Sequence, residues 1–116
     1  MCGWGGARNF CSGDNSPMEM TCNIAARLPE LARERPDQIA IRCPGRPGPG
    51  PGGMARYDVQ LSYAQLDARS DAIAAGLVAS GIGRGVRTVV MVRPSPEFFL
   101  LMFALFKLGA VPVLVD

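Results

Sequence analysis

The chain has 116 residues, of which 48% are hydrophobic and 19% are charged, and its formal net charge is +2. These values are typical of one ordinary soluble domain, and twelve basic against ten acidic residues give no electrostatic case for nucleic-acid binding. The sequence contains no histidine, which removes both the commonest general base and the commonest zinc ligand.

The four cysteines do not form a recognisable metal or redox motif. Cys2, Cys11, Cys22 and Cys43 contain no C-x-x-C pair, so their spacing does not favour a zinc site. Their even number leaves two disulfides, or a cysteine-based redox or metal protein, as an alternative. No secretory signal pattern precedes them, so we expect reduced thiols and a cytoplasmic protein.

Residues 1–22 are predicted to be a disordered leader, because glycine and small polar residues dominate and few apolar residues are present. Met18 and Met20 stand just before the first patterned segment. Translation starting at one of them is therefore a further hypothesis, and an intact-mass measurement of the native product that finds Met1 or Cys2 at its start would exclude it.

The next segment, residues 23–61, is predicted to form a helix followed by a β-hairpin. Asn23 is a helix cap, and Pro29 should break or kink the helix one turn in. Residues 39–43 and 57–61 are the predicted strands. Between them, residues 44–53 read PGRPGPGPGG, which is too rich in proline and glycine for a regular element and predicts an exposed loop.

A second helix should begin at Ser62, since the sequence from Ser62 to Gln65 matches a capping box. Its apolar residues fall on one face, which we expect to pack on a sheet, and Ser80-Gly81 should end it. On the opposite face we expect three charged side chains in water: Asp67, Arg69 and Asp71.

A glycine turn and a buried strand over residues 88–92 follow. Gly81, Gly83 and Gly85 precede this strand instead of following it, so the order excludes a dinucleotide-binding fingerprint. Together with the apolar helix and strand after it, this strand should form one βαβ unit with the usual right-handed crossover.

The last third of the chain predicts a buried helix and a buried strand. Ser95 caps the helix, Pro96 occupies its first position, and residues 98–106 are all apolar. Lys107 complements the C-terminal dipole, and Gly109 is the expected left-handed cap. Residues 111–115 then form an unalternating apolar run, typical of a strand covered on both faces.

Residues 98–115 also suggest an alternative, a non-enzymatic membrane-associated or interaction protein that uses this apolar segment. The capped helix, however, is only about 20 Å long, shorter than the ~30 Å hydrocarbon core of a bilayer. Lys107, Gly109 and Pro112 interrupt the remainder. A buried crossover helix is therefore the favoured interpretation.

Two stretches resemble motifs of the adenylate-forming superfamily of acyl-CoA synthetases, peptide-synthetase adenylation domains and luciferases. Leu61 to Asp67, LSYAQLD, is similar to its first core motif, and KLGA at 107–110 with VLVD at 113–116 is similar to its second. The elements between them follow the family's order. The amino-acid sequence of residues 23–45 and 93–116 is most similar to the fatty-acyl branch that includes the β-lactone synthetases of olefin biosynthesis.

This resemblance implies an α/β fold, namely the N-terminal portion of a large adenylate-forming domain over residues 23–116. In such an enzyme ATP and Mg2+ activate a fatty-acyl substrate, to give a β-lactone or a CoA thioester. Pro112 and Leu114 replace the tyrosine and proline usual in peptide-synthetase domains, which argues against amino-acid activation. The superfamily's phosphate loop, ribose-binding aspartate and catalytic lysine lie downstream of the second motif.

We therefore assign no catalytic, cofactor-binding or metal-binding residue to this chain and expect it to be inactive by itself. Its only lysine is Lys107, and Arg84, Arg87 and Arg93 are isolated enough to predict surface roles. The apolar strand that precedes Asp116 suggests a truncated piece of a larger domain, with an exposed patch where later elements would dock.

Overall fold

The structure is a computed structural model that describes residues 23–45, 48, 52–53 and 56–115. The predicted leader, residues 1–22, lies outside the described residues. So does half of the predicted loop at 44–53, whose described residues belong to no helix or strand.

The described chain has a mixed α/β fold, as the sequence predicts. In order, the elements are a short 3-10 helix (Ile24–Arg27), α1 (Leu28–Glu34), β1 (Ile39–Cys43), β2 (Val59–Ser62), α2 (Tyr63–Ala79), β3 (Arg87–Val90), α3 (Pro96–Leu108) and β4 (Val111–Leu114). Within the described residues the strands pair as two separate two-stranded sheets, β1 with β2 and β3 with β4.

The first helical segment begins and breaks as predicted. The Asn23 side chain accepts a hydrogen bond of 3.0 Å from the Ala25 N–H, which caps the 3-10 helix. Pro29 lies in the first turn of α1, where its missing N–H costs no hydrogen bond. The break therefore falls at the junction of Arg27 and Leu28, one residue ahead of the proline.

Strands β1 and β2 form the predicted antiparallel hairpin, with Cys43 opposite Val59 and an irregularity between Ile39 and Ile41. Strand β2 starts two residues later than the predicted strand at 57–61. The reason is local, because Pro44 follows β1 and has no N–H with which to extend the ladder.

Helix α2 begins with the predicted capping box. Ser62 Oγ accepts from the Gln65 N–H at 3.3 Å, and Gln65 Oε1 accepts from the Ser62 N–H at 3.1 Å. Gly81 follows the helix with a φ of 86°, a left-handed conformation that glycine adopts without strain.

Replacing Ser62 with alanine should destabilise the start of α2 by about 1 kcal/mol, because the Gln65 N–H loses its side-chain acceptor. Hydrogen exchange of the amides at 63–66 should become faster. Ser80→Ala is the matched control, since Ser80 Oγ bonds the Gly76 carbonyl at the other end of the same helix. Equal fraying at both ends in both variants would contradict the capping role.

Helix α2 packs on the β1–β2 hairpin through Leu66 and Leu61, as predicted, but its main contacts are with α3 and α1. Leu66, Ser70 and Ala74 follow one another at a four-residue spacing and are 2%, 0% and 0% exposed. Ala104 on α3 is equally buried. The small side chains of Ser70, Ala74 and Ala104 favour close approach of two helices, which makes α2 and α3 the central pair of the fold.

The predicted βαβ unit is confirmed: β3 and β4 run parallel, from Arg87 opposite Val111 to Val90 opposite Leu114, and α3 connects them. Helix α3 contributes to both core clusters. One cluster is formed by Leu28, Leu61, Leu66 and Leu100, and the other by Val90, Leu105 and Ala110. The hairpin and the parallel strands therefore share one supporting helix.

Strand β4 differs from the expectation that both its faces are covered. Val111 is 46% exposed and Val113 is 38% exposed, so one face of the parallel pair faces solvent. The predicted exposed apolar patch is thus present. Helix α3 covers the other face of the two strands at Val90, whereas Leu114, the partner of Val90, is 59% exposed.

Candidate functional site

The charged group with the most unusual surroundings is the ammonium of Lys107, near the end of α3. Its side chain is 3% exposed, and its Nζ lies 2.6 Å from Asp67 Oδ1 and 2.6 Å from Asp71 Oδ1, both on α2. Nζ also donates to the Asp67 carbonyl at 3.1 Å. We call Lys107, Asp67 and Asp71 the Lys107 cluster.

The Lys107 cluster corrects one prediction. Lys107 lies in the last turn of α3, where a cation complements the helix dipole as predicted, but its side chain is buried between the helices. Asp67 and Asp71, predicted to lie in water, turn toward this lysine. Both aspartates keep some contact with solvent, at 21% and 50% side-chain exposure. Two sequence signals could have indicated the pairing: a lone lysine in an apolar helix needs a partner, and the aspartates share a helix face at a four-residue spacing.

The hydrogen-bonding capacity of Lys107 is fully used within the protein. An ammonium has three N–H donors, and the two carboxylates and the Asp67 carbonyl provide three acceptors. No donor remains for a phosphate or a carboxylate of a bound molecule. The cluster therefore joins α2 to α3 and does not bind a ligand.

A second polar link joins the start of the described chain to the end of α3. The Asn23 side-chain amide donates to the Phe106 carbonyl. The same carbonyl also accepts from the Gly109 N–H at 3.0 Å, so the Asn23 amide is its second donor. Asn23 thus uses both groups of its side-chain amide: the oxygen caps the 3-10 helix, and the nitrogen donates to α3.

Two glycine turns fix the start of the parallel strands. Gly109 ends α3 with a φ of 68°, as the sequence predicts, and its carbonyl accepts from the Gly85 N–H at 2.9 Å. The Val111 N–H then donates to the Val86 carbonyl at 2.8 Å. The glycines that resemble a dinucleotide fingerprint therefore hold a turn ahead of β3, which agrees with the exclusion made from their order.

At the start of α3, Ser95 Oγ accepts from the Phe98 N–H at 3.3 Å, which confirms the predicted cap. The pKa of Glu97 is lowered below its ordinary value of 4.5, first by a hydrogen bond from its own backbone N–H, then by the Ser95 hydroxyl, with a smaller effect from Arg69. Stability from Glu97 is therefore present above pH 4.5 and is lost as the pH falls through the lowered pKa.

An NMR titration of the Glu97 carboxyl carbon should give a midpoint below 4.5. Ser95→Ala should move that midpoint upward, because one of the hydrogen bonds that favour the charged form is removed. Ser80→Ala is the control and should leave it unchanged. A Glu97 midpoint at or above 4.5 in the unmodified chain would contradict this account.

The described residues do not fit a nucleotide or metal site. They contain no group of three or more histidine, cysteine or acidic side chains that could hold a metal ion. Arg84, Arg87 and Arg93 are exposed, as predicted, and the only lysine of the sequence is saturated. We therefore derive no catalytic step from this part of the chain.

The structure bears on two alternative interpretations of the sequence, a cysteine-based redox or metal protein and a membrane-associated protein. Cys43 is a buried free thiol, and the other three cysteines lie outside the described residues. No helix among the described residues is both long enough and apolar enough to cross a membrane.

The hairpin, the parallel strand pair and the motif residues agree with the resemblance to the adenylate-forming superfamily. Residues 28–116 match the AMP-binding enzyme family, and the chain belongs to that family. It is 85% identical to an olefin β-lactone synthetase of Stenotrophomonas maltophilia over 99 residues, which are 85% of this chain and 18% of that enzyme. It is 81% identical to the olefin β-lactone synthetase of Xanthomonas campestris over 104 residues, 90% of this chain and 18% of that enzyme.

A solved structure supports the same fold. The N-terminal subdomain of Klebsiella oxytoca NpsA, solved in complex with 3-hydroxyanthranilyl-AMSN, superposes with a TM-score of 0.66 at 26% identity, over 81% of this chain and 21% of that one. The chain thus spans about a fifth of the proteins it matches. The predicted family and fold class are confirmed.

Proposed function

We propose that this chain is an N-terminal part of an ATP-dependent acyl-activating ligase that converts a long-chain β-hydroxy fatty acid into a β-lactone. The observation that carries the proposal is the identity of 85% and 81% to two olefin β-lactone synthetases. A long-chain fatty acyl-CoA ligase is the alternative within the same family. Pro112 and Leu114 favour the fatty-acyl branch over amino-acid activation in either case.

The proposed role of residues 23–116 is to form a partial domain that frames the site, not to carry the chemistry. The Lys107 cluster holds α2 against α3, and α3 in turn supports both pairs of strands. ATP, Mg2+ and the fatty-acyl substrate would be bound by the remainder of the enzyme, so we assign no catalytic, nucleotide-binding or metal-binding residue here. We place the enzyme in the cytoplasm, where ATP is available and thiols such as Cys43 stay reduced.

The alternative of a non-enzymatic membrane-associated or interaction protein is not supported. Its basis was the apolar segment 98–115, and the helical part of that segment packs into both core clusters of this fold. The relatives named above are enzymes by description.

The direct test uses the polypeptide encoded by the complete reading frame that contains this chain. With ATP, Mg2+ and a long-chain β-hydroxy acid, we expect release of pyrophosphate and AMP, and a product lighter than the acid by one water. A matched fatty acid without the β-hydroxyl should yield no such product, because ring closure needs that oxygen. In a parallel assay that also contains CoA, a CoA thioester formed from the β-hydroxy acid would favour the acyl-CoA ligase. Absence of pyrophosphate with either acid would contradict the proposal.

A hybrid enzyme tests the contribution of this chain separately. In it, residues 28–116 of this chain replace the corresponding segment of the S. maltophilia relative. We expect the hybrid enzyme to form the β-lactone, whereas the 116-residue chain alone should release no pyrophosphate. A folded hybrid enzyme without activity would show that the two segments are not equivalent.

A further inference from the structure

The described residues form two units that meet at the contact between α2 and α3. The hairpin unit contains α1, β1, β2 and α2, and the βαβ unit contains β3, α3 and β4. Among the described strands, none pairs across the boundary between the units. Residues 80–86 connect them without a helix or strand, and Gly81 and Gly85 turn the chain there with φ values of 86° and 78°. The packing of α2 on α3 therefore has to fix the relative position of the units.

Helices α2 and α3 run in the same general direction. At the end of α2, the Ile82 N–H donates to the Leu77 carbonyl at 2.9 Å. At the end of α3, the Gly85 N–H donates to the Gly109 carbonyl, also at 2.9 Å. Both helices thus end beside the turn that precedes β3. A displacement of α3 along α2 consequently moves every residue of α3 toward the same end of α2.

The small and apolar side chains at this boundary do not define a unique register. Residues 98–106 of α3 are all apolar, so a displacement by one helical turn, about 5.4 Å, again places apolar side chains against α2. On α2, the buried residues Leu66, Ser70 and Ala74 repeat at a four-residue spacing. Ala104 opposes a displacement only sterically, because a larger side chain would take its place. Apolar packing of this kind loses uniqueness before it loses stability.

The Lys107 cluster, in contrast, distinguishes the registers by charge. In the observed register Lys107 reaches two carboxylates that lie one turn apart on α2, Asp67 and Asp71. A displacement by one turn toward the end of α2 would place the lysine between Asp71 and Ala75. The opposite displacement would place it between Tyr63 and Asp67. Either one leaves a single carboxylate for an ammonium that is only 3% exposed, so water does not replace the lost partner.

A second polar contact crosses the boundary, from the Asn23 amide to the Phe106 carbonyl. It joins two neutral groups, and hydrogen bonds to ionised groups are roughly twice as strong. The Phe106 carbonyl would also keep the Gly109 N–H as a donor if Asn23 moved away. The Lys107 cluster is therefore the contact that loses most in a displaced register.

We propose that the Lys107 cluster sets the register of α3 along α2 and thereby fixes the βαβ unit on the hairpin unit. Determining how packed helices align is the best-attested use of buried polar groups. Lys107 is a positioning residue in this role, since Gly109 and the start of β4 follow it closely. The place of β4 relative to the hairpin thus depends on the same contact.

A distance measurement between two spin labels in the hybrid enzyme tests the register directly. The labels are attached at Val78→Cys, near the end of α2, and at Glu97→Cys, near the start of α3, with other accessible cysteines replaced by serine. Both positions are exposed, so the labels do not disturb the boundary. With the cluster intact, we expect one narrow distribution of distances.

Removal of one carboxylate at a time should displace α3 in opposite directions. After Asp67→Asn, Lys107 still has one carboxylate in the observed register and one in the register displaced toward the end of α2. After Asp71→Asn, the alternative register is the one displaced toward the start of α2. We therefore expect a second population of about 10% or more, at a shorter distance in the first variant and at a longer distance in the second. Each displacement should reach up to about 5.4 Å.

Ser70→Ala is the matched control. Ser70 is fully buried at the same boundary and donates to the Asp67 carbonyl at 2.9 Å, but its loss leaves all three charges in place. This variant should keep the single distance. An unchanged distance in both asparagine variants would overturn the proposal, as would displacements in the same direction, which general loosening would produce. A second population of equal size in Ser70→Ala would also overturn it.

The distance measurement needs no turnover, so this proposal and the proposed function fail separately. A hybrid enzyme that forms no β-lactone but shows the two opposite displacements retains the register-setting role and removes the proposed product. An active hybrid enzyme with one unchanged distance in every variant does the reverse.

Discussion

Removing both carboxylates of the Lys107 cluster, by Asp67→Asn with Asp71→Asn in the hybrid enzyme, is expected to destabilise the packing of α2 on α3 by about 3–5 kcal/mol. The change leaves an ammonium that is only 3% exposed without a counter-charge. Desolvation of an unpaired charge is the dominant cost, since asparagine keeps the shape and the hydrogen-bond acceptor. Hydrogen exchange of the α2 and α3 amides measures the change in their opening free energy.

The control for this prediction adds Lys107→Met to the two aspartate substitutions. This triple variant should regain most of the lost protection, because a methionine of similar length needs no counter-charge. Lys107→Met alone should cost less than the double asparagine variant, because the Asp71 carboxylate is 50% exposed and can be hydrated. If the triple variant is no more stable than the double variant, the loss of stability in the double variant does not come from an unpaired charge on Lys107.

Leu105→Ala is expected to cost about 2–5 kcal/mol, because it removes three buried carbons and leaves a cavity. Leu105 is 0% exposed and packs in the cluster with Val90 and Ala110, which joins α3 to the parallel strands. Amides in β3 and β4 should lose protection from hydrogen exchange first. The β1–β2 hairpin, which packs in the other cluster, should lose less.

Leu105→Met is the matched control, since a nearly isosteric apolar side chain should cost less than about 1.5 kcal/mol. If Leu105→Ala exposes the hairpin and the parallel strands to the same extent, the two clusters do not act as separate units. If Leu105→Met is as costly as the alanine variant, the effect does not come from a cavity.

The helix boundaries could be predicted because their signals lie within a few residues of one another. The capping box of Ser62 and Gln65 and the left-handed turn at Gly109 both appear in the structure as the sequence predicts. Each depends on hydrogen bonds between residues at most four positions apart. Such local signals do not depend on how the rest of the chain packs.

The Lys107 cluster could not be predicted in the same way, because its pairs join residues 36 and 40 positions apart. The sequence shows a lysine near a helix end and two aspartates on a polar helix face, and each has an ordinary local explanation. Only the packing of α2 on α3 brings them together. The same tertiary contact explains why the main contacts of α2 are with helices, in addition to those with the hairpin.

The chemistry of the family could be predicted only from the resemblance, not from the residues themselves. Periodicity and caps predict an α/β fold, but they are equally compatible with many unrelated enzymes. The two motifs led to the family that the match over residues 28–116 then confirmed. Because both motifs serve as caps and packing elements here, they identify the protein class without providing a reactive group.

Calorimetry of the purified 116-residue chain tests most directly whether it is part of a larger packed domain. Because Val89, Val111 and Val113 of the parallel strands are exposed in this chain, we expect a broad transition of low enthalpy together with binding of a hydrophobic dye. A sharp, cooperative transition of the monomer, with an enthalpy on the order of 0.7 kcal/mol per residue near 60 °C, is typical of a complete globular domain. That result would contradict the account.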